Sequence, residues 1–168
     1  MKKASIIIVV LLSILGIGCK KIHCPAFPEK LAKTYFPYAE KMILSFSNNT
    51  DTSTYIVNDI YLSKEVDYPH NCDCACDNFF YFDTDNRQLY GDILIGKNED
   101  YVVFSVKINS IYFGKEYKDV KLFSTEDYSI LGDTLFLENP NGQKAVIVKG
   151  KGLVSYTTAD GEEWKLVE

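Results

Sequence analysis

The strongest constraint on this chain is a period of two in its apolar residues. Val102, Phe104, Val106 and Ile108 alternate with Tyr101, Val103, Ser105, Lys107 and Asn109, the pattern of a strand with one buried face. Leu89, Gly91, Ile93 and Ile95 line one face of another strand, and Met42, Leu44 and Phe46 alternate with Ile43, Ser45 and Ser47. Further strands are predicted over 54–62, 79–83, 119–124, 133–138, 144–149, 152–158 and 163–167. Several carry apolar residues on both faces, which suits sandwiched strands. Twelve Tyr and ten Phe against one Trp and two Met agree with a strand-rich chain.

Turn chemistry separates these segments. Asn48-Asn49-Thr50-Asp51 precedes the second strand and Asp83-Thr84-Asp85-Asn86 the fourth. Asn139-Pro140-Asn141-Gly142 and Ala159-Asp160-Gly161-Glu162 contain the Asn-Gly and Asp-Gly pairs that accept positive φ in tight hairpins. One short helix is predicted from Pro28, a suitable first helical residue followed by the acid Glu29, to near Tyr35, because Pro37 disfavours the α region at Phe36. The expected fold is all-β: one antiparallel meander of about ten short strands, closed as a barrel or folded as a sandwich, behind a short N-terminal helix.

The first residues are of another kind. Met1-Lys2-Lys3 precedes an apolar run from Ile6 to Ile17 broken only by Ser13. That run falls short of the ~20 residues a spanning helix needs, and it matches the apolar region of a secretory leader. It ends in Leu15-Gly16-Ile17-Gly18-Cys19, small residues before a cysteine, as in a lipoprotein leader with acylation of Cys19. The expected organisation is a leader over 1–18, a lipidated Cys19 and tether over 19–27, and one β domain over 28–168. Cleavage would leave 16 basic and 23 acidic residues, a net charge of −7. Without a basic excess, a nucleic-acid binder that works by phosphate neutralisation is disfavoured.

With Cys19 assigned to lipid, Cys24, Cys72, Cys74 and Cys76 remain. Four thiols in an oxidising compartment suggest two disulfides with three possible connectivities. Cys24 paired with one member of the cluster is favoured, closing a loop of about fifty residues worth ~3–4 kcal/mol. The alternative is a zinc or copper site, or a redox-labile thiol site, made by His70, Cys72, Cys74 and Cys76, with His23 and Cys24 as further donors. Single-residue gaps between the cysteines fit tetrahedral zinc poorly.

Catalytic signals are sparse. There is no Gly-x-Ser-x-Gly, no phosphate-cradling glycine loop and no His-Glu-x-x-His. With His23 in the tether, a hydrolase would have to use His70. Acids such as Asp83 and Asp85 stand where turn formers do. Tyr55, Tyr61, Tyr81, Tyr90, Tyr101, Tyr112 and Tyr156 could furnish a face for a glycan or a small apolar ligand, although tyrosine is also an ordinary strand residue. A partner protein of the envelope, adding a strand to a sheet edge, is the other expectation.

Cys24-Pro25-Ala26-Phe27-Pro28, Tyr35-Phe36-Pro37-Tyr38, Gly150-Lys151-Gly152-Leu153-Val154 and Trp164-Lys165-Leu166 together resemble the small lipoproteins of Bacteroides-type bacteria. The resemblance implies an outer-membrane lipoprotein with an all-β domain, and it brings no established activity. It implies that acids after the lipidated cysteine would accompany surface export. Lys20 and Lys21 stand there instead, which favours the periplasmic face. It also marks Asp133-Thr134-Leu135 as a triplet of the O-glycosylated type.

Overall fold

The computed structural model describes residues 22–68, 76, 78–96, 101–118 and 128–167. The leader, Cys19, His70, Cys72, Cys74 and the strand expected over 119–124 lie outside them.

Ten antiparallel strands close into a barrel. In chain order the described strands are β1 (Ile22–Cys24), β2 (Ile43–Ser47), β3 (Thr52–Leu62), β4 (Val66–Tyr68), β5 (Asn78–Thr84), β6 (Leu89–Ile95), β7 (Tyr101–Ile108), β8 (Ile111–Lys118), β9 (Thr134–Glu138), β10 (Lys144–Val148), β11 (Gly152–Thr157) and β12 (Glu163–Leu166). The barrel follows the chain from β2 to β12, with β4 left out, and β12 pairs back onto β2. Short β1 and β4 pair separately, with Ile22 opposite Tyr68 and Cys24 opposite Val66. The expectation that left barrel and sandwich open thus resolves to a barrel.

Alternation places the core inside the wall. Leu89, Ile93 and Ile95 of β6 and Val102, Phe104, Val106 and Ile108 of β7 are all buried. Phe46, Phe80, Phe82, Phe113, Leu135 and Ile147 fill the same interior. At ~1.5–3 kcal/mol for each large side chain removed from water, this lumen drives folding. Lys and acid side chains stand on the outside, so the polarity is the reverse of a membrane-spanning barrel, which is apolar outside and polar within.

Helix α1 (Glu29–Tyr35) plugs one end. Pro28 precedes it in extended conformation as its N-cap, one residue outside the helix expected to begin there. Leu31, Ala32 and Tyr35 are its buried face, and Phe36 follows. Tyr35 packs edge-on against Phe104, with ring centroids 5.2 Å apart, and Phe36 lies 5.1 Å from Phe82. The Tyr35 hydroxyl donates to the Gly132 carbonyl at 2.7 Å, and the Gly150 N–H donates to the Thr34 carbonyl at 2.7 Å. The plug is thereby joined to the segments that enter β9 and β11.

Local chemistry explains three departures from expectation. The β7–β8 hairpin turns on Asn109 and Ser110, both at positive φ (46° and 78°), without any glycine. Asp83 and Thr84, expected in a turn, belong to β5, and the turn follows at Asp85–Arg87. Segments β1 and β4 fall where only a tether and a loop were expected. Three-residue strands carry too little periodicity to be read.

Candidate ligand-binding face

Residue alternation would send Tyr55, Val57, Asp59 and Tyr61 of β3 to one side. A bulge between Val57 and Asp59 breaks that parity. Tyr55 and Val57 point inward, whereas beyond the bulge Ile60 and Leu62 pack against the core and Tyr61 is exposed. Tyr61 thereby comes opposite Tyr81 of β5, and Asp59 opposite Asp83. In the next pairing Tyr81 faces Asp92 of β6, and Asp83 faces Tyr90.

The outcome is a ladder of nearly parallel rings on the outer wall. Tyr61 lies 5.3 Å from Phe79 and 5.4 Å from Tyr81, and Tyr81 lies 5.9 Å from Tyr90. Interplanar angles are 26°, 17° and 27°. Exposed Tyr112 of β8 continues the row beyond Lys107, which stands between it and Tyr90 in the registers. Phe79 had not been singled out from the sequence, since adjacent Phe79 and Phe80 give no clue which faces out.

Carboxylates flank the rings. The Tyr81 hydroxyl donates to Asp59 Oδ2 at 3.2 Å. Asp83 Oδ2 lies 3.7 Å from Arg87 Nε, while its Oδ1 is buried with no hydrogen-bond partner among the described residues. Asp92 Oδ1 is likewise buried and unpartnered. Burial pushes the Asp92 carboxyl up to about 6, against a weaker opposing pull from the Tyr90 hydroxyl and the residue's own backbone. Burial also raises the Tyr90 phenol to about 12, helped by the charge on Asp92. Next to the rim-side end of the ladder, Phe27, Ile60, Tyr61, Leu62 and Glu65 border an open groove of about 530 Å³.

The other tyrosines divide. Tyr55 and Tyr156, candidates for a ligand face, are instead ordinary strand residues buried in the lumen around Phe46 with their hydroxyls 3.4 Å apart. Both occupy inward positions of their strands, where an aromatic ring fills volume and the paired hydroxyls satisfy each other. Tyr101 is half-buried beside Gly96, away from the ladder.

Cys24 and Cys76 form a disulfide across 52 residues of sequence. As a disulfide, neither offers the thiolate that binds a metal. His23, opposite Asp67 in the β1–β4 pair, donates its Nδ1–H to Asp67 Oδ1 at 2.9 Å, which holds the imidazole above its ordinary value. Among the described residues no group of three His, Cys, Asp or Glu side chains is arranged to hold a metal. Compared with family models, with curated proteins and with solved structures, the chain matches none.

Proposed function

We propose that this protein is a lipid-anchored envelope module whose plugged barrel presents the Tyr61–Phe79–Tyr81–Tyr90 ladder to a saccharide. The ladder carries this reading. Aromatic rings offer apolar contact to the C–H faces of a sugar, and the carboxylates and phenols beside them accept or donate hydrogen bonds to its hydroxyls. The leader pattern ending at Cys19 and the Cys24–Cys76 disulfide support an exported, oxidised setting.

A panel of neutral and acidic oligosaccharides tests this reading by thermal shift and calorimetry on the full-length protein. Binding that disappears in Tyr61→Ala and Tyr81→Ala, with the fold retained, is the expected result. Binding that survives both substitutions places the ligand elsewhere, and no response across the panel removes the saccharide reading.

A further inference from the structure

The aromatic ladder stands in an unbalanced negative charge. Strands β3, β5 and β6, which carry its rings, contain Asp59, Asp83 and Asp92 and no lysine or arginine. Asp59 is directly opposite Asp83, a relation in which like charges repel. Asp83 is in turn opposite Tyr90, and Asp92 is opposite Tyr81. These four residues form a square with the rings on one diagonal, 5.9 Å apart, and the carboxylates on the other. Alternation turns all four outward, because Phe80, Phe82 and Ile93 beside them in the strands fill the lumen.

Compensation for these charges is incomplete. Oδ1 of Asp83 and Oδ1 of Asp92 accept no hydrogen bond among the described residues. The donor to Asp59 Oδ2 is the neutral Tyr81 hydroxyl. Arg87 reaches Asp83 Oδ2 at 3.7 Å from a side chain that is 87% exposed, where water screens the pair. Lys107 of β7 stands opposite Tyr90 and adds a second cation against the three carboxylates. The groove beside Tyr61 does not offset the difference, since it carries Lys64 with Glu65, and its Glu29 is paired with Lys33 at 2.6 Å. The Tyr81 phenol reflects this setting: burial raises it first, and the charges of Asp59 and Asp83 raise it further.

Such a wall sorts ligands by charge. The face of a phenol ring attracts a cation, and uncompensated carboxylates beside the ring add to that attraction. The buried oxygens need not touch the ligand, because the low-dielectric rings around them let their field reach the surface. The same field repels a sugar that carries carboxylates. We infer that the Tyr61–Phe79–Tyr81–Tyr90 ladder, flanked by Asp59, Asp83 and Asp92, selects a saccharide bearing free ammonium groups, of the glucosamine class, over neutral and acidic ones. This deepens the proposed function and rests on its saccharide reading.

Calorimetry on the full-length protein compares glucosamine tetramer, cellotetraose and galacturonate tetramer. At low salt the glucosamine tetramer should bind about tenfold more tightly than cellotetraose, and the galacturonate tetramer more weakly than either. That ratio should collapse toward one as salt rises from ~0.01 M to ~1 M, which screens the field of the carboxylates. In Asp59→Asn combined with Asp83→Asn it should fall several-fold at low salt. Should that variant fail to fold, the salt series on the parent decides, and a ratio unchanged by salt would overturn the inference. Cellotetraose bound through Tyr61 and Tyr81 as tightly as the glucosamine tetramer would overturn the charge preference while leaving the saccharide reading intact. A polyamine bound as tightly as the glucosamine tetramer, or no binding by any of the three sugars, would overturn the saccharide reading and this inference with it.

Discussion

The hydroxyl of Tyr38 accepts a hydrogen bond from the backbone N–H of Leu153 at 2.7 Å, across 115 residues of sequence. Tyr38 also packs edge-on against Phe82, with centroids 4.7 Å apart, and burial pushes its phenol well above the ordinary value. One side chain thus links the segment after the helix to both β5 and β11. Tyr38→Phe keeps the ring and strands the Leu153 N–H, and should cost about 1–3 kcal/mol in chemical denaturation. Gly152→Ala should cost at least as much. Its φ is +84°, and an added Cβ would overlap the Tyr38 hydroxyl. A Tyr38→Phe variant as stable as the parent would show that the plug does not depend on this bond.

Asp92 makes stability depend on pH in an unusual direction. Its carboxyl lies at about 6 in the fold against an ordinary 3.8, so between these values the native state holds the proton more tightly than the unfolded chain. The contribution is complete below about pH 4 and is lost as pH rises through about 6. Two pH units correspond to ~3 kcal/mol, and partial exposure reduces this to about 1–2. Asp92→Asn should therefore be more stable than the parent by about 1–2 kcal/mol at pH 7, with the difference vanishing near pH 4. Urea titrations of both proteins across this range check it, and a difference that stays constant with pH would refute the assignment.

Removing the Cys24–Cys76 disulfide should destabilise the protein by about 3–4 kcal/mol, given the 52-residue separation. Cys24→Ser with Cys76→Ser should lower the denaturant midpoint, and reduction of the parent should lower it comparably. A reductant effect in the double variant would assign the sensitivity to other cysteines.

Ser110 sits at φ 78° in the two-residue β7–β8 turn, a region where a side chain is strained. Ser110→Gly should raise stability by about 0.5–1 kcal/mol, read as an increased melting temperature. No gain would mean that the turn holds Ser110 there without strain.

Much of this fold could be read from the chain because the inward rows of β6 and β7 are uniformly apolar while their outward rows are mixed. Gly142 and Gly161 do turn at positive φ, as the Asn-Gly and Asp-Gly pairs implied. Strand β8 escaped prediction for two reasons. Its turn lacks glycine, and Gly114, Lys115 and Glu116 dilute its alternation. The ligand face was only half visible. Tyrosines were evident, but Tyr55 and Tyr61 differ in side only through the Val57–Asp59 bulge, which no local residue announces. Phe79 and the partner of each ring depend on register between strands, a long-range property that a single sequence does not display.

The most direct measurement of the central claim is the intact mass of the protein recovered from membranes, alkylated with and without prior reduction. A chain beginning at Cys19 and carrying acyl chains, with Cys24 and Cys76 alkylated only after reduction, is the predicted result. A chain that retains residues 1–18, or one cut elsewhere and released into water without acyl mass, would contradict it.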